Sequence, residues 1–353
     1  MSVRIGFIGA GGNARGHMTN VLLMPEAEIV AICDVSEEQI EAARKEVSAR
    51  AAERSGSSRQ LDAAAYTDVR EMLRRERLDA VYISIPPFAH GEPEEAVLDA
   101  GLPFYVEKPV ALDLRLALRT LARVREQGLI TAVGYQLRYG SANERARELL
   151  RGRRVTMVLG ARLRPRPASR PWYIRQHLSG GQLIEQATHQ IDLMRWLVGE
   201  IKTVYAAADT LVHHRIEPEC DIFDVNCMSL TFECGAVGNF ANSVCAAYRP
   251  RETEGLHIFC EDLTVSQMGR GWRVISAAGT EEIPDEGNAL ERADRAFVQA
   301  VMEGRPELIR TDYENGVRTL AVTLAGEQSG RTGRPVEVRS LFEEAGVQLT
   351  EAS

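Results

Sequence analysis

The sequence predicts an α/β protein of two domains: a doubly wound parallel sheet in residues 1–136, and an α/β domain with a mainly antiparallel open sheet in residues 137–353. In the first part, short apolar segments alternate with helical segments, which is typical of parallel sheets buried on both faces. In the second part, strand-like segments follow one another without helices between them, which indicates an antiparallel sheet. The 353 residues are also enough for two hydrophobic cores.

Runs of apolar residues and helical periodicity assign the elements of the first domain. The predicted strands are residues 3–8, 29–33, 80–85, 103–106 and 130–133. The predicted helices are residues 37–52, 69–75, 92–100 and 114–127, and a further helix follows the glycine-rich segment after the first strand. A strand–helix–strand order of this kind predicts a parallel doubly wound sheet.

The second domain begins with a predicted helix at residues 141–150 and a strand at residues 155–163. A Pro/Arg-rich loop then leads to a helix at residues 182–198. The following predicted strands are residues 204–212, 225–232, 237–244, 256–259, 263–267 and 272–276. Two helices, at residues 290–303 and 312–329, complete the predicted domain.

Composition limits the function classes. The formal net charge is −8 and no basic stripe is visible, so a nucleic-acid partner is not expected. No apolar run is long enough to cross a bilayer, and the N-terminus lacks the pattern of a signal peptide, so no membrane partner is expected either. The six cysteines form no CxxC pair and most lie in apolar strand-like runs. They favour reduced core thiols in a cytoplasmic protein.

A glycine-rich segment joins the first strand to the first helix. Gly9, Gly11 and Ala14 fit the pattern G-x-G-x-x-A, with Gly12 and Asn13 between the last two. The first glycine permits a tight turn, the second lets the backbone approach a pyrophosphate, and the alanine lets the helix pack closely on the strand. Free N–H groups at the start of the helix suit phosphate oxygens. The segment therefore predicts a Rossmann dinucleotide site, although it would also suit a glycine-rich turn in another α/β protein.

Asp34 ends the second predicted strand, where an acid accepts the ribose hydroxyls of a dinucleotide. A carboxylate there repels a 2′-phosphate, so NAD is expected as the cofactor rather than NADP, with NADP still possible. An alternative is that Asp34 caps the helix that follows. Both roles can hold together.

Three further motifs carry a family resemblance. They are Ser84-Ile85-Pro86-Pro87-Phe88-Ala89-His90, then Glu107-Lys108-Pro109, and then Gly180-Gly181-Gln182-Leu183-Ile184-Glu185-Gln186-Ala187-Thr188-His189-Gln190-Ile191-Asp192. Together with the glycine loop, this ordered set resembles the Gfo/Idh/MocA family of oxidoreductases over nearly the whole chain. The resemblance implies an N-terminal Rossmann domain, and a second domain that binds substrate and forms the contacts of a homo-oligomer, a dimer or a tetramer.

The resemblance also implies the site. Lys108 and His189 carry the chemistry, with Glu185 as a carboxylate that orients the substrate. Many relatives have aspartate at that position, so Glu185 departs from the pattern by one methylene. The expected cofactor contacts are Gly9, Gly11, Gly12, Asn13, Ala14, Asp34, Pro86, Pro87, His90, Glu107 and Lys108. The expected substrate contacts are Lys108, Tyr135, Arg138, Trp172, Glu185, His189 and Asp192.

Local spacing leaves other interpretations open. Glu185, His189 and Asp192 stand at i, i+4 and i+7, which places them on one helix face. That face can hold a proton-accepting histidine between two carboxylates, or be an ordinary solvated face. A metal site from these three is conceivable by ligand type, but no metal is expected because the family does not need one.

Four other residues have an ordinary structural interpretation beside the functional one. Lys108 could be a surface lysine paired with Glu107, and Arg138 an exposed arginine in a linker. His90 could cap the turn into the next helix. Trp172 could stack on a sugar or belong to the core.

These observations favour an NAD(P)-dependent dehydrogenase that acts on a ring hydroxyl of a sugar, cyclitol or related polyol. One alternative is an enzyme that cleaves glycosides through transient oxidation by tightly held NAD. The other is a dinucleotide-binding sensor without catalysis, which would be expected to lose Lys108 and His189, and both are present.

Overall fold

The computed structural model describes residues 2–56, 58–167 and 170–347, with only the backbone at residue 251. The chain forms two compact units. Unit 1 comprises Met1–Ala111, Leu116–Tyr139 and Asn288–Gly316, and unit 2 comprises Leu112–Arg115, Gly140–Gly287 and Val317–Ser353.

Unit 1 contains a six-stranded parallel sheet. Its strands are β1 (Val3–Ile8), β2 (Ala27–Cys33), β3 (Ala64–Tyr66), β4 (Ala80–Ile83), β5 (Phe104–Val106) and β6 (Thr131–Val133). The strand order is β3-β2-β1-β4-β5-β6, and every neighbouring pair is parallel. The order reverses between β2 and β4 on either side of β1, which is where dinucleotides bind in such sheets. The predicted doubly wound sheet is confirmed.

The helices that follow these strands in the chain are α1 (Gly12–Leu22), α2 (Glu37–Ser55), α3 (Val69–Arg75), α4 (Glu92–Asp99) and α5 (Leu114–Gln127). The core of the unit contains stacked rings from the central strands: Phe7 and Tyr82 lie 4.7 Å apart between ring centroids, and Tyr82 and Tyr105 lie 4.9 Å apart. Phe297 meets both tyrosine rings edge-on.

Unit 2 contains a nine-stranded sheet. Its strands are β7 (Val155–Leu163), β8 (Ile201–Asp209), β9 (Val225–Phe232), β10 (Val237–Ser243), β11 (Gly255–Cys260), β12 (Leu263–Met268), β13 (Gly271–Ser276), β14 (Gly279–Ile283) and β15 (Val336–Glu337). The order is β14-β13-β12-β11-β7-β10-β9-β8-β15. All pairs are antiparallel except β7 with β10, so the predicted mainly antiparallel sheet is confirmed.

The remaining helices are α6 (Ser141–Leu150), α7 (Gln176–Ser179), α8 (Thr188–Val198), α9 (His213–Ile216), α10 (Ala289–Glu303), α11 (Tyr313–Thr332) and α12 (Val338–Glu344). A π-helical turn, Leu183–Ala187, leads directly into α8. The helix predicted at residues 182–198 is therefore two segments of different pitch.

The division of the chain differs from the predicted one. The first part of unit 1 ends near the predicted boundary, but the chain returns to unit 1 at Asn288–Gly316, which the sequence assigned to the second domain. The reason is that Ala293, Phe297 and Val298 of α10 belong to the same core cluster as Phe7 and Tyr82. Periodicity shows that a helix has an apolar face but not which sheet that face covers.

Candidate functional site

The glycine loop of unit 1 has the geometry that the dinucleotide motif requires. Gly9 follows β1 with φ +96°, a conformation that residues with a side chain rarely adopt. A Cβ atom at Gly9 would lie 2.1 Å from the backbone oxygen of Ser84. Gly9 N–H donates to the oxygen of Cys33 at 2.8 Å, which ties the loop to the end of β2. Only glycine fits this turn.

The start of α1 offers backbone donors. Gly11 is the N-cap residue, it supplies no side-chain hydrogen bond, and the first turn holds no acidic residue. Gly12 and Asn13 are exposed, whereas Ala14 is buried against the core. Because the first N–H groups of a helix have no intrahelical partner, this end suits the phosphates of a dinucleotide. The residues present therefore fit NAD.

Asp34 lies at the end of β2 and is tied to the same loop. Its Oδ2 accepts from Ala10 N–H at 2.8 Å, and its Oδ1 accepts from Ser36 N–H at 3.0 Å. The N-cap of α2 is Ser36, whose hydroxyl accepts from Gln39 N–H. Asp34 is therefore not the cap of this helix. Each of its oxygens keeps a further lone pair for a ribose hydroxyl.

The segment after β4 is a short 3₁₀ turn, Pro87–Ala89, in which Pro86 is half-buried and Pro87 buried. His90 follows and is 9% exposed; its Nδ1 lies 2.5 Å from Glu94 Oε1. Glu94 Oε2 accepts from the N–H of Gly91, the N-cap of α4. These contacts place His90 at the start of α4. Its Nε2 has no hydrogen-bond partner among the described residues, and its predicted contact with the cofactor stays a prediction.

Lys108 lies two residues beyond β5, and its side chain is 8% exposed. It is therefore not the exposed surface lysine of the alternative interpretation. The adjacent Glu107 is also buried, and its Oε1 lies 2.9 Å from His17 Nε2. The carboxylate of Glu107 therefore contacts His17, while its predicted contact with the cofactor stays a prediction. The sequence motif could not show this because His17 lies in another element.

His17 is the centre of a buried charged cluster. Its Nδ1 lies 2.5 Å from Asp294 Oδ1, and Asn20 donates to the second oxygen of Asp294 at 2.7 Å. Burial alone would lower the pKa of His17, but its interactions with Asp294 and Glu107 outweigh burial and raise the pKa to about 10. A cation is thus held between two carboxylates in the interior of unit 1. Sequence reasoning did not single out this histidine.

Tyr135 and Arg138 were predicted to contact substrate. Tyr135 is 1% exposed and Arg138 is 4% exposed. Arg138 donates from Nη1 to the backbone oxygen of Arg310 at 3.2 Å and from Nη2 to Asn315 Oδ1 at 2.9 Å. Its guanidinium therefore holds the returning segment of unit 1. Arg138 is therefore not the exposed linker arginine of the alternative interpretation, and the substrate contacts predicted for Tyr135 and Arg138 stay predictions.

In unit 2, the π turn and α8 carry the predicted acid–base face. Glu185 is 3% exposed and accepts from Gln186 Nε2, while His189 is half-buried. Asp192 is fully buried, and its Oδ1 accepts from the hydroxyl of Thr319 at 3.0 Å. Arg195 donates to the same hydroxyl at 2.6 Å. Asp192 therefore anchors α8, and its predicted contact with substrate stays a prediction.

No group of three or more His, Cys, Asp or Glu side chains that could hold a metal ion occurs in residues 2–56, 58–167 and 170–347. Glu185, His189 and Asp192 do not converge on one point. Trp172 is half-buried and its ring stacks on Tyr173 with centroids 4.0 Å apart. Trp172 is therefore not a fully buried core residue, and its predicted contact with substrate stays a prediction.

A row of polar side chains that the sequence analysis missed crosses the inner face of the sheet in unit 2. Arg162 on β7 pairs with Asn242 on β10, and Asn242 pairs with Asn226 on β9. All three are buried. Both amide atoms of Asn226 and the Nδ2 atom of Asn242 have no hydrogen-bond partner within the part of the chain that the structure describes. Such groups are costly to bury unless a ligand or water satisfies them.

Two of these residues had a signal in the sequence. In β9, Asn226 shares its face with Met228, Leu230 and Phe232, which are all buried. In β10, Asn242 shares its face with Phe240, which is also buried. A polar residue at an inward position of an alternating strand is a sign of a functional or structural polar contact.

Arg162 also lines a cavity of about 570 Å³ in unit 2. The other charged or amide side chains that line it are Arg164, Gln190, Arg249, Glu252, Glu254 and Gln267. Gln190 directly follows His189 in α8, so the cavity reaches the helix that carries the predicted base.

Comparison with known proteins gives the family. Residues 3–135 match the model described as an oxidoreductase family with an NAD-binding Rossmann fold. Residues 145–266 match the model of the GFO/IDH/MocA C-terminal domain. The chain belongs to the Gfo/Idh/MocA oxidoreductase family. It is therefore an oxidoreductase that uses NAD, as its glycine loop and Asp34 indicated.

Several curated members of the Gfo/Idh/MocA family are similar along most of the chain. A myo-inositol 2-dehydrogenase of Thermotoga maritima is 27% identical over 96% of this chain and 100% of its own. A 1,5-anhydro-D-fructose reductase of Ensifer adhaerens is 25% identical over 96% of this chain and 99% of its own. A D-apiose dehydrogenase of Paraburkholderia graminis is 27% identical over 96% of this chain and 90% of its own.

The fold also matches solved structures. The WlbA dehydrogenase of Bordetella pertussis, in complex with NADH and UDP-GlcNAcA, gives a TM-score of 0.77 at 24% identity, over 96% of this chain and 99% of that chain. An oxidoreductase of Agrobacterium radiobacter, in complex with NAD+, L-tartaric acid and magnesium, gives 0.80 at 16% identity, over 97% of this chain and 100% of that chain. At these identities the likeness shows the fold alone. No helix in the described parts of the chain is long and apolar enough to cross a membrane.

Proposed function

We propose that this oxidoreductase transfers a hydride between NAD and a ring hydroxyl of a sugar, cyclitol or related polyol. The observation that carries the proposal is the position of Lys108, which is nearly buried just beyond the carboxyl end of β5. The same edge of the unit 1 sheet carries the Gly9 turn and Asp34, which fit NAD. A buried cation at that edge suits an oxygen that becomes negative during the reaction.

The residues of this chain have separate tasks in the proposed reaction. When bound, NAD supplies the hydride acceptor for oxidation of an alcohol. Lys108 donates a hydrogen bond to the reacting oxygen and stabilises its developing charge. His189 accepts the hydroxyl proton, since histidine is the side chain that most often acts as a general base. Glu185, buried one helical turn before His189, orients a substrate hydroxyl.

A polyhydroxylated substrate is supported by the inner polar row of unit 2. The side chains of Asn226 and Asn242 offer both N–H and C=O groups, and three of these atoms have no hydrogen-bond partner among the described residues. Amide groups match hydroxyls, which donate and accept at once. The names of three relatives give inositol, 1,5-anhydro-D-fructose and D-apiose as the compounds on which those enzymes act. All three compounds belong to this class of substrate.

The test is an absorbance assay at the nicotinamide band with wild-type protein, NAD or NADP, and a panel of cyclitols, aldoses and sugar acids. We expect reduction of NAD with at least one ring alcohol, and a lower KM for NAD than for NADP because Asp34 repels the 2′-phosphate. Consumption of a glycoside with no change in absorbance would support the glycoside-cleaving alternative. Tight NAD binding with no turnover across the panel would support the sensor.

A homo-oligomer, a dimer or a tetramer, is part of the same proposal. The outer face of the unit 2 sheet exposes a row of apolar side chains that are neighbours in the strand register. Val237 on β10 pairs with Met157 on β7, and Leu159 lies two residues further along β7. These three are between 36% and 52% exposed. A second copy of the chain is the proposed partner of this face.

A further inference from the structure

Arg162 is a buried cation without a carboxylate partner. Arg162 is 9% exposed. Its guanidinium donates two hydrogen bonds, from Nη1 to Asn242 Oδ1 at 3.3 Å and from Nη2 to Gln186 Oε1 at 2.7 Å. Both acceptors are neutral amides. None of the described carboxylates lies within ion-pair distance of Arg162. Buried charges in proteins are normally paired, so this arrangement needs an explanation.

The nearest acidic groups are engaged elsewhere. Glu254 accepts from Arg164 Nη1 at 2.9 Å and from Arg249 Nε, so two arginines share its single charge. Glu185 attracts Arg162 only at longer range, and its carboxylate accepts from Gln186. Burial, followed by repulsion from Arg164, lowers the pKa of Arg162 to about 10. The side chains that line the cavity carry three positive charges, on Arg162, Arg164 and Arg249, and two negative charges, on Glu252 and Glu254.

We propose that Arg162 binds an anionic group of the substrate, a carboxylate or a phosphate carried on the sugar or polyol. This inference rests on the proposed function and narrows its substrate class to acidic sugars. A guanidinium presents N–H donors in a planar fork that matches both anions, and two of its five donors are used by Asn242 and Gln186.

The cavity has the size and the position for this role. Its volume of about 570 Å³ is ample for a sugar acid, and its wall includes Arg164 beside Arg162. Gln190 lines the same wall, and its Oε1 has no hydrogen-bond partner within the described part of the chain. Because Gln190 is next to His189 in α8, an anion held by Arg162 would fix the substrate against the helix that carries the proposed base.

The experiment compares matched substrates that differ in one group. D-glucose, D-galactose and D-mannose are each measured against the corresponding uronate and 6-phosphate, by turnover with NAD and by calorimetric binding to the NADH-loaded protein. We expect at least one anionic member to bind at least tenfold more tightly than its neutral parent. Preference for the uronate identifies a carboxylate site, and preference for the 6-phosphate identifies a phosphate site.

Two variants and a control assign the preference to Arg162. R162Q removes the positive charge, and R162K keeps the charge but loses the planar set of N–H donors. We expect R162Q to abolish the preference through KM and binding affinity, and R162K to retain part of it. The control is R273Q, on β13 of the same sheet, where the arginine is more exposed and paired with Glu282; it should keep the preference.

The outcomes separate this proposal from the proposed function. Turnover of ring alcohols with equal binding of neutral and anionic members overturns the Arg162 site and leaves the hydride transfer intact. An anion preference that survives in R162Q also overturns it. Tight binding of an anionic sugar without turnover of any ring alcohol supports the site and contradicts the proposed function.

Discussion

At the scale of single residues, His17 shows how a buried charge connects distant parts of unit 1. It contacts Asp294 of α10 and Glu107 beyond β5, and the rings of Tyr82 and Tyr105 pack against its imidazole. Asp294 in turn accepts from Asn20 of α1. Removing one member would leave a buried charge uncompensated, which destabilises proteins strongly. Since Glu107 precedes Lys108, the cluster also fixes the backbone from which Lys108 projects.

This cluster predicts a specific dependence of stability on pH. The pKa of His17 is raised from 6.5 to about 10 in the folded protein, so its contribution is complete below about pH 6.5 and is lost as the pH rises towards 10. In that window the free energy of unfolding should fall with pH more steeply in the wild type than in H17Q, by up to about 1.4 kcal/mol per pH unit for one proton.

Denaturant unfolding at several pH values between 6 and 10 measures this effect. The exposed His214 provides the control, and H214Q should follow the wild-type slope. Equal slopes for H17Q and the wild type would show that His17 does not take up a proton on folding.

The residues of the site differ in how far the sequence could predict them. Gly9 and Asp34 could be predicted because a dinucleotide turn needs residues at fixed short spacing. The roles of Glu107 and Asp192 could not, because their partners lie far along the chain: His17 is 90 residues from Glu107, and Thr319 is 127 residues from Asp192. Local spacing carries no information about such contacts.

At the scale of elements, alternation and apolar runs predicted most strands and helices, but not their exact bounds. The strand predicted at residues 204–212 is β8 (Ile201–Asp209), and the one predicted at residues 80–85 is β4 (Ala80–Ile83). The short strands β3, β14 and β15 were not predicted, because two to five residues are too few to show a clear pattern.

Side chains that point inward from strands form the part of the site that only the structure brings together. Arg162, Asn242 and Asn226 come from three separate strands and become neighbours through the register of β7, β10 and β9. The strand order of a mixed sheet is not set by local sequence, since β7 pairs with β10 and β11 rather than with the strand that follows it. The polar row could therefore not be predicted as a unit, although Asn226 and Asn242 each had a signal in their own strand.

At the scale of the whole molecule, the outer face of the unit 2 sheet determines the proposed assembly. The register continues the row from Val237 and Met157 through Phe259 and Thr264 to Ile275. Val237, Met157 and Ile275 are exposed, whereas Phe259 and Thr264 between them are half-buried. Burying this surface against a second copy would remove apolar area from water.

Light scattering should therefore give the mass of a dimer or a tetramer for the purified protein. V237K, which places a charge on the surface, should shift the protein towards the monomer. I216K changes an apolar residue that is 65% exposed on α9, away from the strands, and should leave the mass unchanged. A monomeric wild type would contradict the proposed oligomer without bearing on the chemistry.

The proposed hydride transfer to NAD assigns stabilisation of the reacting oxygen to Lys108 and acceptance of the hydroxyl proton to His189. The most direct test measures NAD reduction and NAD binding together in K108M and H189A, using the best ring alcohol of the wild-type protein. We predict a fall in kcat of at least a hundredfold in each variant, the scale of a general acid–base contribution, with NAD affinity within a few-fold of the wild type. Unchanged turnover in both K108M and H189A would show that neither Lys108 nor His189 takes part in the reaction.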